Sequence, residues 1–192
     1  MLGGRQDARW IAAVALLVAV GLAAAGQVPQ AAGVPNFHQV DTHVYRGGQP
    51  SKRGLESLAR LGIKTIVDLR EGGARSSAER QAVEALGMRY VSIPMRGMRA
   101  PADDQIAHAL AVLDTPGSSN WPVFVHCKRG ADRTGTVIAC YRISHDHWTN
   151  SKALKEAKLY GMHWAERAMR EYILHYKPSG APPAGERGLG SN

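Results

Sequence analysis

One short segment constrains the fold of this chain more than any other. It consists of the apolar run Val123–Val125 and the ten residues after it, HCKRGADRTG at 126–135. The apolar run is typical of a buried strand, and the pattern from Thr134 onward indicates a helix. A strand that enters a helix through a glycine-containing loop directs successive backbone N–H groups and the positive helix end towards one point. The segment therefore predicts an anion-binding loop.

The side chains of this loop favour phosphate chemistry. Arg133 stands six residues after Cys127, and its planar guanidinium can hold two phosphate oxygens at once. The same positive field lowers the pKa of a cysteine thiol and makes the thiolate available as a nucleophile. Gly130 lets the backbone turn without a side chain in the way, and Thr134 can donate its hydroxyl to the sulfur. The alternative interpretation is a buried thiol beside a basic turn.

Strand patterns alternate with helix patterns through the middle of the chain. The predicted strands are Val44–Tyr45, Ile63–Leu69, Met88–Ile93 and Val123–Val125. The predicted helices are 52–61 with Ser51 as its N-cap, Ala78–Leu86 with Ser77 as its N-cap, one from Pro101 or Asp103 to Leu113, one from near Thr134, and two segments between Ser151 and Tyr176. This order predicts an α/β fold, in which a small, mostly parallel central sheet is flanked by helices. The Cys-x5-Arg loop lies between the last strand and the next helix.

Composition limits the classes of partner and cofactor that the chain is expected to bind. The 24 Lys and Arg outnumber the 16 Asp and Glu, which gives a net charge of +8, and this leaves nucleic acid, acidic lipid and a phosphorylated substrate as anionic partners. Trp148, Trp164 and Tyr172 are not interleaved with basic residues, so no nucleic-acid partner is predicted. Two cysteines exclude a disulfide framework and a four-thiolate zinc site. No metal site is predicted.

Both ends of the chain differ from its middle. Residues 1–26 combine Arg5 and Arg9 with an apolar run that ends in small residues, which is typical of a signal peptide; an uncleaved N-terminal membrane anchor is the alternative. Either one predicts an exported protein or one anchored to face outside the cytoplasm. Residues 27–35 are predicted as a linker, and residues 178–192, rich in Pro, Gly and Ala, as a disordered tail.

The loop HCKRGADRTG resembles the active-site loop of the protein tyrosine phosphatase superfamily. NFHQVDTHVYRGGQPS (36–51) and LGIKTIVDLR (61–70) resemble its dual-specificity branch, in particular the atypical enzymes of plants and fungi and their bacterial relatives. The resemblance implies a catalytic domain over 36–177 without metal or other cofactor. It implies that Cys127 forms a phosphocysteine intermediate, that Thr134 assists the leaving sulfur and that His126 supports the loop. The phosphate-binding residues it implies are Lys128, Arg129, Gly130, Ala131, Asp132 and Arg133.

The sequence position of the general acid differs from the usual pattern of this family. The family usually supplies an Asp some thirty residues before the cysteine, but here that stretch, 94–99, contains no acid. We predict Asp132 as the acid, followed by Asp103 and then Asp104. The alternatives are an ion pair that orients a loop arginine, for Asp132, and helix capping, for at least one of the other two.

The substrate remains open between a phosphorylated protein and a phosphorylated lipid or inositol. A phosphate-binding module without turnover is a second class of function, because the upstream acid is missing. A rhodanese-like sulfur transferase is a third, although its loop usually carries one residue fewer. Cys140 is predicted to lie in the core, and a disulfide between it and Cys127 is left open.

Overall fold

The computed structural model describes residues 30–114 and 119–178. Its strands are β1 (His38–Gln39), β2 (Val44–Gly48), β3 (Thr65–Asp68), β4 (Arg89–Ser92) and β5 (Val123–Cys127). Its helices are α1 (Lys52–Arg60), α2 (Ala74–Ala85), α3 (Asp103–Leu113), α4 (Asp132–Ser144), α5 (Asn150–Leu159) and α6 (Arg167–His175). Each strand predicted from the sequence is present, and the two-residue β1 adds to them.

The strands form one sheet in the order β1-β2-β5-β3-β4. Among the described strands, only the β1–β2 pair is antiparallel, so the prediction of a mostly parallel sheet flanked by helices is confirmed. Cys127 pairs with Gly48 on one side of β5, and His126 pairs with Asp68 on the other. The carboxyl ends of three neighbouring strands therefore meet at Cys127, where open α/β sheets bind their ligands.

Helices cover both faces of this sheet. One core cluster lies between the sheet and α3 and α4, another between the sheet and α1 and α2, and a third joins α4 to α5 and α6. Cys140 belongs to the first cluster, and burial raises the pKa of its thiol. The prediction of a core position for Cys140 is confirmed, and both cysteines are free thiols.

Two helices begin earlier than the sequence predicts. α2 starts at Ala74 with Gly73 as its N-cap, so the prediction that Ser77 caps this helix is wrong. Gly73 has a φ of 131°, which glycine adopts without strain, and the chain therefore enters the helix before the first serine. α4 starts at Asp132 rather than near Thr134. Ser51 does cap α1, where its hydroxyl accepts a hydrogen bond from Gly54 N.

The described part of the predicted linker packs against the domain. Ala31 and Val34 are buried with the core under α1, and Gly33 O accepts a hydrogen bond from Ser51 N. The folded domain thus extends N-terminally of Asn36. The predicted targeting segment 1–26 lies outside the described residues, as does the predicted tail apart from Pro178. Within the described ranges, every helix is too short or too polar to span a bilayer.

Candidate active site

The cysteine loop, which we define as residues 127–133, connects β5 to α4. Gly130 has a φ of 71°, and a Cβ atom there would overlap the backbone of Gly47 and Gly48 at the end of β2. Glycine is therefore required at this position both by the backbone conformation and by the close approach of the neighbouring strand. The loop is pressed against the sheet, and α4 begins directly behind it.

Cys127 lies at the bottom of this loop and is 2% exposed. Burial alone would raise the pKa of its thiol, but hydrogen bonds from the Thr134 hydroxyl and backbone, the charge of Arg133 and the N–H of Gly130 outweigh burial and lower it. The Thr134 hydroxyl is buried, and its hydrogen bond to the sulfur has the largest of these lowering effects. The thiolate form is stabilised, as nucleophilic catalysis requires.

Arg133 is held by two neighbouring loops. Its Nη1 donates to Met95 O at 3.2 Å and, more weakly, to Leu69 O at 3.5 Å. These carbonyls follow the ends of β4 and β3, so the arginine is fixed to the sheet edge through one nitrogen. The rest of its fork stays available for a phosphate group.

A second arginine, Arg46 on β2, lies behind the cysteine loop. It is 1% exposed, its Nη2 donates to Gly130 O at 2.8 Å, and its guanidinium stacks on Tyr160 at 4.6 Å. Asn36 Nδ2 donates to the same carbonyl at 3.0 Å. Burial lowers the pKa of Arg46 to about 10, although the Glu156, Tyr160 and Cys127 charges act to raise it. Arg46 thus holds the loop from within and stabilises the thiolate.

His126 connects the loop to a buried charge network. Its Nδ1 contacts Cys127 O at 3.3 Å, and its Nε2 lies 2.8 Å from Glu79 Oε1. Arg70 bridges Glu79 and Asp68 at 3.0 and 2.7 Å. Asp68, Glu79 and His126 present possible ligand atoms within 4.8 Å of one another, but Arg70 already supplies the positive charge between the two carboxylates.

Asp132, the first predicted acid, is engaged on both oxygens. Its Oδ1 accepts from His163 N at 2.9 Å, and its Oδ2 accepts from the guanidinium of Arg129. It is 7% exposed and lies in the first turn of α4. These contacts match the alternative interpretation, an ion pair that orients a loop arginine. The carboxylate also ties α4 to the segment between α5 and α6.

Asp103, the second predicted acid, faces a different part of the molecule. Its Oδ1 accepts a hydrogen bond from the Tyr172 hydroxyl at 2.7 Å. It lines a cavity of about 750 Å³ between α3, α4 and α6, which contains no residue of the cysteine loop. Asp104 accepts from the N–H of Gln105 in the first turn of α3, where the N-cap is Ala102 and a negative charge is favourable at the positive end of the helix.

A smaller cavity lies beside the cysteine loop and has a volume of about 370 Å³. Lys128 and Arg133 line it together with Gln49 and the segment Arg70–Ser76. Among the described residues of this lining, Glu71 is the one carboxylate, and its side chain is exposed. Arg129 is mostly exposed, and Ala131 is buried at the N-cap of α4. The structure thus places Lys128 and Arg133 together at this cavity, with Asp103 elsewhere.

Sequence reasoning missed several residues of this site, among them Asn36, Arg46, Glu71 and Glu79. Asn36 and Arg46 lie in the segment NFHQVDTHVYRGGQPS, whose resemblance to the dual-specificity branch was a signal for them. Glu79 carries no local signal, because only the fold brings it to His126. Glu166 was also missed. It is buried and accepts a hydrogen bond from Met98 N at 3.1 Å, and so it holds the stretch 94–99, which lacks an acid.

Known proteins resemble the chain in sequence and in fold. Residues 25–173 match the family described as "DSP-PTPase phosphatase fused to NAD+ Kinase". "Inositol diphosphatase DSP5" of Arabidopsis thaliana is 28% identical over 71% of this chain and 67% of its own length. The chain spans 49% of another plant inositol diphosphatase, from Oryza sativa.

Two solved structures are similar. TpbA of Pseudomonas aeruginosa has a TM-score of 0.60 and is 26% identical over 74% of this chain and 86% of its own. The catalytic domain of the PP-IP phosphatase SIW14 of Saccharomyces cerevisiae has a TM-score of 0.67 over 79% of this chain and 91% of its own. At 24% identity, the second match shows the shared fold alone.

Proposed function

Because the chain belongs to the family of dual-specificity, tyrosine-phosphatase-type phosphatases that it matches over residues 25–173, we propose that it hydrolyses phosphate monoesters with Cys127 as nucleophile. The observation that carries this proposal is the position of Cys127, which is buried between the end of β5 and the N-terminus of α4, in one loop with Arg133. Thr134, Arg133 and Gly130 lower the pKa of its thiol against the effect of burial. A stabilised thiolate beside an arginine fork, at a helix N-terminus, supplies a nucleophile and a phosphate cradle in one loop.

The reaction proceeds in two displacements. The Cys127 sulfur attacks phosphorus, the S–P bond forms, and the bond to the leaving oxygen breaks as that oxygen takes a proton from an acid. Water then attacks the phosphocysteine and returns a proton to the same group. The S–P bond breaks, inorganic phosphate leaves, and the Thr134 hydroxyl stabilises the departing thiolate. Arg133 holds the phosphoryl oxygens throughout.

Phosphoprotein and phosphorylated inositol substrates both fit this chemistry. The inositol class is supported by the basic lining of the cavity, where Lys128 and Arg133 lie with Arg70 and Arg75, because a multiply phosphorylated ring carries several negative charges. The name of the Arabidopsis relative, an inositol diphosphatase, supports the same class. A phosphotyrosine side chain is the second candidate, and the resemblance to TpbA, which is named a dual specificity protein phosphatase, favours it.

Export from the cytoplasm is part of the proposal. The basic start, the apolar run and the small residues that close it are all within 1–26, and the family match begins at residue 25, next to the predicted cleavage region. A signal peptide or a membrane anchor at this place would deliver residues 36–177 outside the cytoplasm.

The full chain, assayed with an aryl phosphate, phosphotyrosine peptides and inositol polyphosphates, tests the reaction. Cys127→Ser removes the thiolate, so we expect a rate at least a thousandfold lower on every substrate. Cys140→Ala is the control, because the Cys140 thiol is buried in the core and is not part of the described lining of the cavity beside the loop, and it should remain active once folded. Turnover that survives in Cys127→Ser, or its absence in the wild type, would refute a cysteine-dependent hydrolase.

A further inference from the structure

The cavity beside the cysteine loop has a second basic region. Lys128 and Arg133 belong to the loop, whereas Gly73, Ala74 and Arg75 belong to the start of α2, and all of them line the same space of about 370 Å³. Arg133, which holds the phosphoryl group under attack, lies at the loop end of this cavity. The region at the start of α2 therefore has no role in the transfer of a single phosphoryl group.

The N-terminus of α2 is uncapped. Its N-cap is a glycine without a side chain, and no acidic residue occurs in the first turn. The first bond within the helix runs from Ser77 N to Gly73 O at 3.0 Å, so three preceding N–H groups have no acceptor within the helix. The positive end of a 12-residue helix thus opens onto the cavity without a compensating charge of its own.

Arg70 provides an independent observation at the same place. It is 6% exposed and lines the cavity. Its Nε and Nη2 donate to Asp68 at 2.8 and 2.7 Å, whereas Nη1 is buried and, among residues 30–114 and 119–178, has no hydrogen-bond partner. A buried donor without an acceptor costs free energy, and a small displacement of the guanidinium towards the cavity would bring Nη1 within reach of an anion bound there.

We propose that the start of α2, with Arg75 and Arg70, is a second phosphate subsite that binds another phosphoryl group of the substrate while Arg133 holds the group under attack. The proposal rests on the proposed function, since it assigns the substrate class of the same cavity. The ligand is a small molecule with at least two phosphoryl groups. The second group binds between the helix N-terminus and the Arg75 guanidinium, as anions do at such termini.

Glu71 is the opposing charge in this cavity. Its carboxylate is exposed, and in the part of the chain that the structure describes it forms no ion pair with Arg70 or Arg75. Solvent screens its repulsion, while Arg75, Lys128 and Arg133 together exceed it in charge.

Inhibition of aryl phosphate hydrolysis tests the subsite in the full chain. The probes are inorganic phosphate, which fills one subsite, and tripolyphosphate and inositol hexakisphosphate, which can reach two. We expect the ratio of the inhibition constant of phosphate to that of a polyphosphate to fall about tenfold in Arg75→Ala, because one charge-assisted contact is lost. The exposed Arg53 of α1 does not line the cavity, so Arg53→Ala, which removes the same charge, should keep the wild-type ratio.

The two polyphosphates distinguish the source of the second group. If Arg75→Ala weakens inhibition by tripolyphosphate alone, the subsite binds phosphates joined by an anhydride. If it weakens inhibition by inositol hexakisphosphate alone, the subsite binds phosphates on separate ring carbons. Equal ratios in Arg75→Ala and wild type for both probes would overturn the subsite, and so would an equal loss in Arg53→Ala.

Calorimetry separates this proposal from the proposed function. Cys127→Ser cannot turn over substrate, so its binding of the same probes reports the cavity alone. Tighter binding of a polyphosphate than of phosphate, lost when Arg75→Ala is added, supports the subsite even if the wild type proves inactive. Binding that does not change when Arg75→Ala is added overturns the subsite even if the enzyme is active.

Discussion

A buried arginine is costly to fold, and Arg46 is one at 1% exposure. Its Nη2 reaches Gly130 O, but within the described ranges Nε and Nη1 have no hydrogen-bond partner. Stacking on Tyr160 and the charge of the nearby thiolate compensate part of the desolvation. The side chain therefore belongs to the site, since its compensation comes from the cysteine loop and from the ring that packs beneath it.

Replacing Arg46 should raise the pKa of Cys127. Arg46→Met removes the buried positive charge and keeps an unbranched side chain, so the thiolate loses stabilisation. The rate of Cys127 alkylation by iodoacetamide, followed against pH, should then reach half its maximum at higher pH than in the wild type. We expect kcat/KM for an aryl phosphate near neutral pH to fall about tenfold or more.

The variant Arg46→Lys keeps the charge and serves as the control. It should restore much of the wild-type alkylation profile even if the bond to Gly130 O is weakened. A profile of Arg46→Met that coincides with that of the wild type, in a folded protein, would show that Arg46 has only a packing role.

Substitutions of Asp132 and of Glu71 should slow the reaction in different ways as the leaving group is varied. Both oxygens of Asp132 are occupied by Arg129 and by His163 N, so Asp132→Asn should slow good and poor leaving groups by similar factors. Glu71 is exposed in the cavity that contains Arg133, so Glu71→Gln should slow poor leaving groups much more, as loss of a general acid does. A series of aryl phosphates measures both slopes.

The reverse pattern has a clear meaning. If Asp132→Asn alone steepens the dependence on leaving-group pKa, Asp132 is the acid, as the sequence predicts. Glu71 is then a surface residue of the cavity.

For the helices and strands, the sequence predicted which elements exist better than where each of them begins. The strand and helix patterns predict the elements themselves, but α2 begins at Ala74 because Gly73 adopts a φ of 131°. The general preference for Ser at the N-cap led to the prediction that Ser77 begins the helix. The sequence alone does not show which backbone conformation the pair Gly72-Gly73 adopts. That early start brings Arg75 to the cavity and Glu79 to His126.

The network between β3 and α2 should make stability fall in acid. Burial alone would raise the pKa of Asp68, but hydrogen bonds from Arg70 outweigh it and lower the pKa to about 2. Because the folded pKa lies below the unfolded value of about 4, the stabilisation is fully present above pH 4 and is lost as pH falls towards 2. This contribution is about 2 kcal/mol.

Urea unfolding at pH 6 and pH 3 measures this effect. Asp68→Asn should be less stable than the wild type at pH 6, and the difference should shrink at pH 3, because its amide does not titrate. A difference that stays constant between the two pH values would mean that the carboxylate charge is not what stabilises the sheet edge.

At the scale of the whole molecule, contacts between distant residues were beyond sequence reasoning. The bond from Arg46 to Gly130 joins residues 84 positions apart, and that from Asn36 to Gly130 joins residues 94 apart. The cysteine loop itself was predictable, because its chemistry depends on neighbours in sequence. The groups that hold it in place come from β2, α2 and the segment before α6, which only the fold brings together.

The N-terminal segment should be cleaved close to Ala25. The packed domain includes Ala31 and Val34, so cleavage near Ala25 would leave only about five residues before the fold begins. Residues 23–25 are alanines, and small residues are what a signal-peptidase site requires. Mass spectrometry of the protein recovered from its native host should therefore find a mature N-terminus within a few residues of Gly26. An intact residue 1 on protein that fractionates with membranes would identify an anchor instead, and an intact residue 1 on protein in the cytoplasmic fraction would refute export.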